Sequence, residues 1–454
     1  MDQQTTTGIV PDAAPPTTAS IEFGAARQLT TREANRVAMG ALIGTALEWY
    51  DFFLFSAAAA IVFNVQYFAT DNATAAALSS FATFGVGLAA RPLGGLVFGH
   101  LGDRIGRRKV LMITIVGIGA VTGLIGMLPT YAAIGLAAPL LLVLLRIGQG
   151  LFVGGEWSGA MTIVVENSPL EKRAIYAAIP QIGSPIGTIL SSGGFYLLAL
   201  WMTQESFDAW GWRLPFLAAI PMLLVALYIR SRLEESPVFE ELMEKGETAQ
   251  SPVRETLGGY WRHILVGMAA GLLGIGGFYL VTAFVVWYGV NILEYDRTVM
   301  LLGGLVAAAV EIPVLILAGR AGARFGASKV ILWGGLASAV LAWPSFLMIE
   351  SGNPVVVVLG MTIAVASLSI PYAASGTILT GLFPAKYRYT GVGLAQNIAG
   401  MLSGFIPVIA TALVATAANH WWPAAVMLVF LSLFTAFSAL VSPRMSVNLP
   451  GFKH

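Results

Sequence analysis

Long apolar runs, each closed by a short polar stretch, succeed one another from Arg36 almost to the end of the chain. Crossing the hydrocarbon core of a bilayer as a helix takes about 20 predominantly apolar residues. The runs meet that length at 36–62, 76–102, 110–128, 136–165, 174–200, 213–230, 263–291, 298–319, 330–349, 354–380, 390–415 and 421–441. Inside a bilayer the backbone must satisfy its own hydrogen bonds, so each run is read as a helix. The pattern predicts an all-α integral membrane protein with twelve transmembrane helices. Residues 1–35 are polar and rich in Thr, Pro and Ala, without the basic-then-apolar pattern of a cleaved signal. They are predicted to form a disordered cytoplasmic tail, with a second tail at 442–454.

Composition agrees with the pattern. Charged residues make up 11% of the 454 and apolar ones 57%, against about 25% charged in a soluble domain. There is too little polar surface for a soluble enzyme. The net charge of +1 gives no reason to expect nucleic acid. The chain has no cysteine, and its four histidines are scattered, so neither thiol chemistry nor a metal site is expected. No catalytic constellation is present.

Charge in the breaks predicts orientation. The breaks after spans 2, 4, 6, 8 and 10, with both tails, hold 21 of the 25 Lys and Arg. The opposite loops hold acids such as Asp71, Glu205, Asp208 and Glu350, with Arg297 and Arg213 as their basic residues. Both termini are therefore expected in the cytoplasm, in a multi-pass protein of the cell (inner or plasma) membrane. Segment 230–262 carries 5 basic and 7 acidic residues. It reads as a cytoplasmic linker (231–262) between an N-terminal half, 36–230, and a C-terminal half, 263–441.

The halves repeat. GHLGDRIGRRKV after span 2 and GRAGARFGASKV after span 8 share Gly99/Gly319, Gly102/Gly322, Arg104/Arg324, Gly106/Gly326, Lys109/Lys329 and Val110/Val330 at a constant offset of 220. Duplicated halves can rock around a site held between them, which is how many transporters work.

Several of these strings carry a family resemblance. GHLGDRIGRR (Gly99 to Arg108) fits the loop motif of the major facilitator superfamily, and Arg146, Gln149 and Gly150 fit its helix 4 motif. LEWYDFFLF (Leu47 to Phe55), RIGQGLFVGGEWSGA (Arg146 to Ala160), WGWRLPF (Trp210 to Phe216), LEESPVFEEL (Leu233 to Leu242) and FPAKYRYTG (Phe383 to Gly391) are similar to the metabolite:proton symporter family. That family includes shikimate, 2-oxoglutarate, citrate and proline/betaine permeases. From Phe81 through span 4 the chain looks most like the shikimate-permease branch. The resemblance implies the major facilitator fold, two pseudo-symmetric six-helix halves, and no cofactor beyond the proton gradient. It implies a small-molecule substrate, the proton and the lipid bilayer as partners, with a monomer as the working unit. The second loop departs from the family pattern, with Ala323, Ala327 and Ser328 where Asp and two Arg often stand.

Ionisable groups in hydrocarbon are costly and mark function by default. They are Glu48 and Asp51 on span 1, Arg91 on span 2, Arg146 and Glu156 on span 4, and Glu311 on span 8. At ~1.5 Å rise per residue, Asp51 lies roughly 22 Å from the cytoplasmic start of its helix, and Arg146 roughly 10–15 Å below the outer face. The two depths match, as do those of Arg91 and Glu156, so two pairs are expected: Asp51–Arg146 and Arg91–Glu156. In proton-coupled sugar porters, which the chain resembles, a helix 1 carboxylate facing a helix 4 arginine carries the proton. A proton on Asp51 and an anion on Arg146 each neutralise one member of such a pair, so the two bind together, which is symport. The alternative is a static pair that orients spans 1 and 4. Glu48, on the face of Asp51, is a second proton candidate. Arg91–Glu156 reads as structural or gating.

Arg146, Arg91, Tyr50, Gln149, Gln181 and Tyr279 are the candidate substrate contacts, and Trp49, Tyr288 and Asn397 candidate cavity lining. Glu311 either reaches a water-filled cavity or sits against backbone carbonyls. Asp103 and the Arg104, Arg107, Arg108 loop, with Gly99 and Gly106, are expected to latch one rocking state, Arg107 or Arg108 meeting Glu166. Glycine pairs at four-residue spacing, such as Gly150/Gly154, Gly183/Gly187 and Gly400/Gly404, are expected at close helix contacts. The sequence thus favours proton-driven uptake of a small organic acid. Uptake of a zwitterionic osmoprotectant is the alternative. Drug/proton antiport is disfavoured, because span 5 reads GSPIGTIL and not the antiporter signature.

Overall fold

The computed structural model describes residues 31–68, 72–105, 107–154, 161, 164, 165, 168, 170–231 and 252–446. Within them run twelve apolar helices. In chain order they are α1 (Val37–Gln66), α2 (Ala73–Phe98), α3 (Met112–Met127), α4 (Ala137–Val153), α5 (Arg173–Trp201), α6 (Arg213–Val225), α7 (Val253–Asn291), α8 (Arg297–Phe325), α9 (Ala327–Ile349), α10 (Pro354–Gly381), α11 (Thr390–Thr416) and α12 (Trp422–Met445). Nine are long and apolar enough to cross a membrane; α3, α4 and α6 are shorter. Most of the predicted remainder of span 4, including Glu156, lies outside the described residues, as does Glu166.

Local chemistry sets several ends. Asp296 caps α8 by accepting from Thr298 N–H at 2.6 Å, and Asn353 caps α10 by accepting from Val355 N–H at 3.0 Å, with Pro354 in its first turn. Caps of this kind satisfy backbone donors that a helix leaves open. The repeated loop after span 8 is shorter than expected. α8 continues through Arg320 and Arg324 to Phe325, and Gly326 turns the chain into α9 at φ 100°, which a residue with a side chain rarely adopts. α7 likewise starts before residue 263, at Val253, with a kink at Tyr260.

The packing repeats after six helices. α1 packs on α5, α2 on α4, α3 on α6 and α3 on α4; in the second half α7 packs on α11, α8 on α10, α9 on α12 and α9 on α10. The two principal contacts across the middle, α2 with α11 and α5 with α8, exchange with each other under the same shift. The arrangement has the symmetry that the repeated motif implies.

Glycine makes the closest crossings. A Cβ on Gly150 of α4 would fall 1.9 Å from the Gly87 carbonyl oxygen of α2, and one on Gly187 of α5 would fall 2.6 Å from Tyr50 N of α1. Small residues let helices approach this closely in a bilayer. Gly404 packs on Gly85 and Leu88, whereas Gly400 has nothing within 4 Å of its would-be Cβ. That spacing therefore marks a contact at one member only. α1 and α7 also carry π-helical turns, Ala59–Phe63 and Leu280–Phe284, within one residue of correspondence under the 220-residue offset. A further π turn, Leu273–Gly277, precedes Tyr279. Single π turns recur at functional sites in helices.

Candidate functional site

The interior charges gather where α1, α2, α3 and α4 meet α7, α8 and α10. Asp51 is 3% exposed and Arg146 fully buried, but the two are not in direct contact. Gln149, one turn along α4 from Arg146, stands between them. Its Nε2 donates to Asp51 Oδ1 and Oδ2, both at 2.6 Å, while Arg146 Nη1 donates to Gln149 Oε1. Thr122 on α3 also donates to Asp51 Oδ1, and its oxygen lies 2.9 Å from Gln149 Nε2. The amide thus points its oxygen at the cation and its nitrogen at the carboxylate, joining them through one side chain. The expected direct Asp51–Arg146 pair is corrected to a relay because the residue one turn away intervenes.

Arg146 is held in a cage of rings. Its Cζ lies 4.2 Å from the centroid of Phe55, 5.0 Å from Phe52 and 5.1 Å from Phe84, contacts a desolvated guanidinium favours. Across α2, Gly87 leaves room for the side chain, since a Cβ there would fall 2.4 Å from Arg146 Nε. Nε and Nη2 of Arg146 have no hydrogen-bond partner.

The expected Arg91–Glu156 contact involves Glu156, which lies outside the described residues. Arg91 donates to Glu48, closing a buried ion pair between α2 and α1. Its Cζ lies 4.8 Å from Phe52, so both arginines pack on that ring. The two helix 1 proton candidates therefore stand in different settings: Glu48 pairs with Arg91 directly, and Asp51 reaches Arg146 through Gln149.

Tyr279 meets Phe84 edge-on at 4.8 Å and Phe53 at 6.0 Å between ring centroids, and its hydroxyl is unpartnered. Gln181 on α5 donates to the Tyr372 carbonyl at 3.3 Å and to Ser375 Oγ at 3.4 Å, leaving its Oε1 free. Tyr50 does not serve the site. Its hydroxyl donates to Pro215 O at 2.6 Å, binding α1 to α6. Tyr288 likewise donates to Asn419 O at 2.9 Å, away from the centre. Asn397 of α11 lies beside Gly95 of α2, and Trp49 stacks on Phe53 at 5.0 Å.

Thr122, Phe52, Phe55, Gly87 and Tyr372 complete the site and were not anticipated. Thr122 had a readable signal, a polar residue midway along an apolar span. The Phe residues lie in the quoted LEWYDFFLF string and Gly87 in FATFGVG. The latch residues Gly99, Asp103, Arg104, Arg107 and Arg108 are placed in helix by their backbones, but their side chains lie outside the described set, as does Gly106 altogether.

The centre is covered from both sides. Toward the face where α1 ends, Phe81 of α2 meets Trp287 of α7 at 6.4 Å, and Arg297 pairs with Asp208 at 3.2 Å at the surface. Toward the face where α1 begins, Gly319 of α8 lies against Ala178 of α5, and Gln181 bonds α10. The polar site thus lies buried between the two repeats, where carriers of this kind place their substrate.

The Major Facilitator Superfamily profile matches residues 41–406. The chain belongs to the Major Facilitator Superfamily. It is 37% identical over 417 residues to the shikimate transporter of Escherichia coli (strain K12), covering 91% of this chain and 95% of that one. It is 32% identical over 401 residues to the proline/betaine transporter of the same organism, covering 86% and 79%. Among solved structures, a D-xylose-proton symporter superposes with a TM-score of 0.70 at 18% identity, over 93% of this chain and 99% of that one. This superfamily member is a multi-pass membrane transporter and not an enzyme, and its family works without a cofactor.

Proposed function

We propose that the chain takes up a small organic acid together with a proton, by alternating access around the site between its halves. The observation that carries this reading is the Asp51–Gln149–Arg146 relay, with two unpartnered guanidinium nitrogens on Arg146. An anion accepting from those nitrogens draws the guanidinium away from Gln149. The Asp51 charge then loses the cation that offsets it through the amide, and a proton replaces it. Proton and acid thus bind together and leave together. The Arg91–Glu48 pair sets the helix 1–helix 2 contact beneath this centre. Halves 36–230 and 263–441 rock as bodies joined by 231–262. The face where α1 begins is cytoplasmic, on the Lys and Arg distribution, and the membrane is the inner one, as in the name of a 37% identical metabolite transport protein.

The likeness to a shikimate transporter favours a hydroxylated monocarboxylate, and the likeness to a proline/betaine transporter supports a zwitterion as the second reading. The test is uptake into proteoliposomes with an alkaline interior, using shikimate, 2-oxoglutarate, citrate, proline and betaine with and without a protonophore. Accumulation of one acid that the protonophore abolishes is expected. Accumulation that ignores the protonophore contradicts proton coupling.

A further inference from the structure

Among the described residues, Glu311 is the interior carboxylate that the relay and the Arg91 pair leave unused. It is 1% exposed at the middle of α8, beside Ser369 of α10, and its Oε2 has no hydrogen-bond partner. No cation lies within ion-pair distance of it among the described residues. One turn along α10 from Ser369, Tyr372 lies over Gly274 in the π turn of α7, where a Cβ would fall 2.3 Å from its ring. The Tyr372 hydroxyl is also unpartnered. On the other side, the Tyr279 phenol meets Phe84, the ring that also packs on the Arg146 guanidinium. Buried polar groups without a partner thus occur in both halves, at Arg146 in the first and at Tyr279, Tyr372 and Glu311 in the second.

Such a set has two unlike members. One offers free N–H donors, the other a carboxyl whose second oxygen has nothing to accept from. Buried polar atoms left unpaired are costly, and a ligand that supplies the missing partner gains what they lose. We propose that Glu311 is a specificity residue that accepts a hydrogen bond from a donor group on the substrate, a hydroxyl or an ammonium, held apart from the carboxylate that Arg146 takes. The inference rests on the organic-acid reading above and narrows it. A substrate with a carboxylate alone satisfies one member. A dicarboxylate sets a second anion against Glu311. An acid with a separate O–H or N–H satisfies both members and bridges the two halves, so that binding favours the closed state.

The experiment uses matched pairs as competitors of uptake: shikimate against 1-cyclohexene-1-carboxylate, and proline against N,N-dimethylproline, which lacks N–H. In the wild-type protein the donor-bearing member of at least one pair competes at least tenfold more strongly, about 1.4 kcal/mol or more. Which pair discriminates distinguishes a hydroxyl from an ammonium. In Glu311→Ala the ratio within that pair collapses toward one. Glu311→Gln keeps an acceptor, so it retains the ratio within either pair. Equal competition within both pairs, or a ratio unchanged in Glu311→Ala, overturns the assignment while leaving proton-driven acid uptake standing. Failure of every carboxylate to enter removes the underlying reading and this inference together. Size-exclusion profiles matching wild type exclude misfolding, and Glu311→Leu, of similar volume but without an acceptor, separates lost packing from lost recognition.

Discussion

Arg146 reaches Asp51 across the amide of Gln149, whose nitrogen sits 2.6 Å from both carboxylate oxygens. A direct ion pair would hold the two charges together whatever occupied the site. A relay can be broken at one end, by an anion on the guanidinium, or at the other, by a proton on the carboxylate. Gln149→Leu removes the bridge while keeping much of its volume. It is expected to leave the chain folded but to cut pH-driven accumulation at least tenfold, about 1.4 kcal/mol of coupling. Uptake in proteoliposomes with and without a pH gradient checks this. An unchanged accumulation ratio shows that the amide is a spacer.

The aromatic cage makes Arg146 difficult to replace. Arg146→Lys loses the planar face that packs on Phe52, Phe55 and Phe84 and the fork that matches a carboxylate. Substrate affinity is expected to fall at least tenfold, measured by competition or by isothermal titration in nanodiscs. Wild-type affinity would move the anion site elsewhere.

Arg91 and Glu48 are exposed by 7% and 3% in their side chains. Removing the Glu48 charge leaves Arg91 buried without its ion pair, which costs about 3–5 kcal/mol. Glu48→Gln should therefore lower thermal stability clearly, and Glu48→Gln with Arg91→Gln should recover most of the loss. Additive losses in the double variant would show that the pair is not coupled. The same set separates the two helix 1 carboxylates, since Glu48→Gln with Arg91→Gln is expected to retain proton coupling if Asp51 carries the proton.

Gly87 is occupied space in all but name, because Arg146 lies across it. Gly87→Val drives a branched side chain into the guanidinium stem, and overpacking of this kind costs about 1–3 kcal/mol. The expected result is a modest fall in melting temperature with a much larger fall in uptake. Wild-type uptake would show that Arg146 can move aside without consequence.

The twelve spans, the duplicated halves and the short list of interior charges were all legible along the chain, because a bilayer forces apolar length and makes each buried charge conspicuous. Partners were not. Depth at 1.5 Å per residue brings Arg91 level with more than one carboxylate, and the rotation of α1 about its own axis decides that it meets Glu48. Gln149 was recognised as a cavity residue, yet its place between Arg146 and Asp51 depends on a side-chain direction that spacing does not carry. Tyr50 looked like its neighbours in LEWYDFFLF, but points at Pro215 on α6. Tyr372 enters the centre because Gly274, on another helix, has no side chain to exclude it.

The central claim is that Asp51 carries the coupled proton, and Asp51→Asn tests it most directly. Asparagine keeps the shape and an acceptor for Gln149 but can take no proton. Two rates are measured in the same proteoliposomes: exchange of labelled for unlabelled substrate at equal pH, and accumulation against a gradient driven by an alkaline interior. The account predicts that Asp51→Asn retains exchange and loses accumulation. Uphill accumulation at the wild-type level in Asp51→Asn would contradict it.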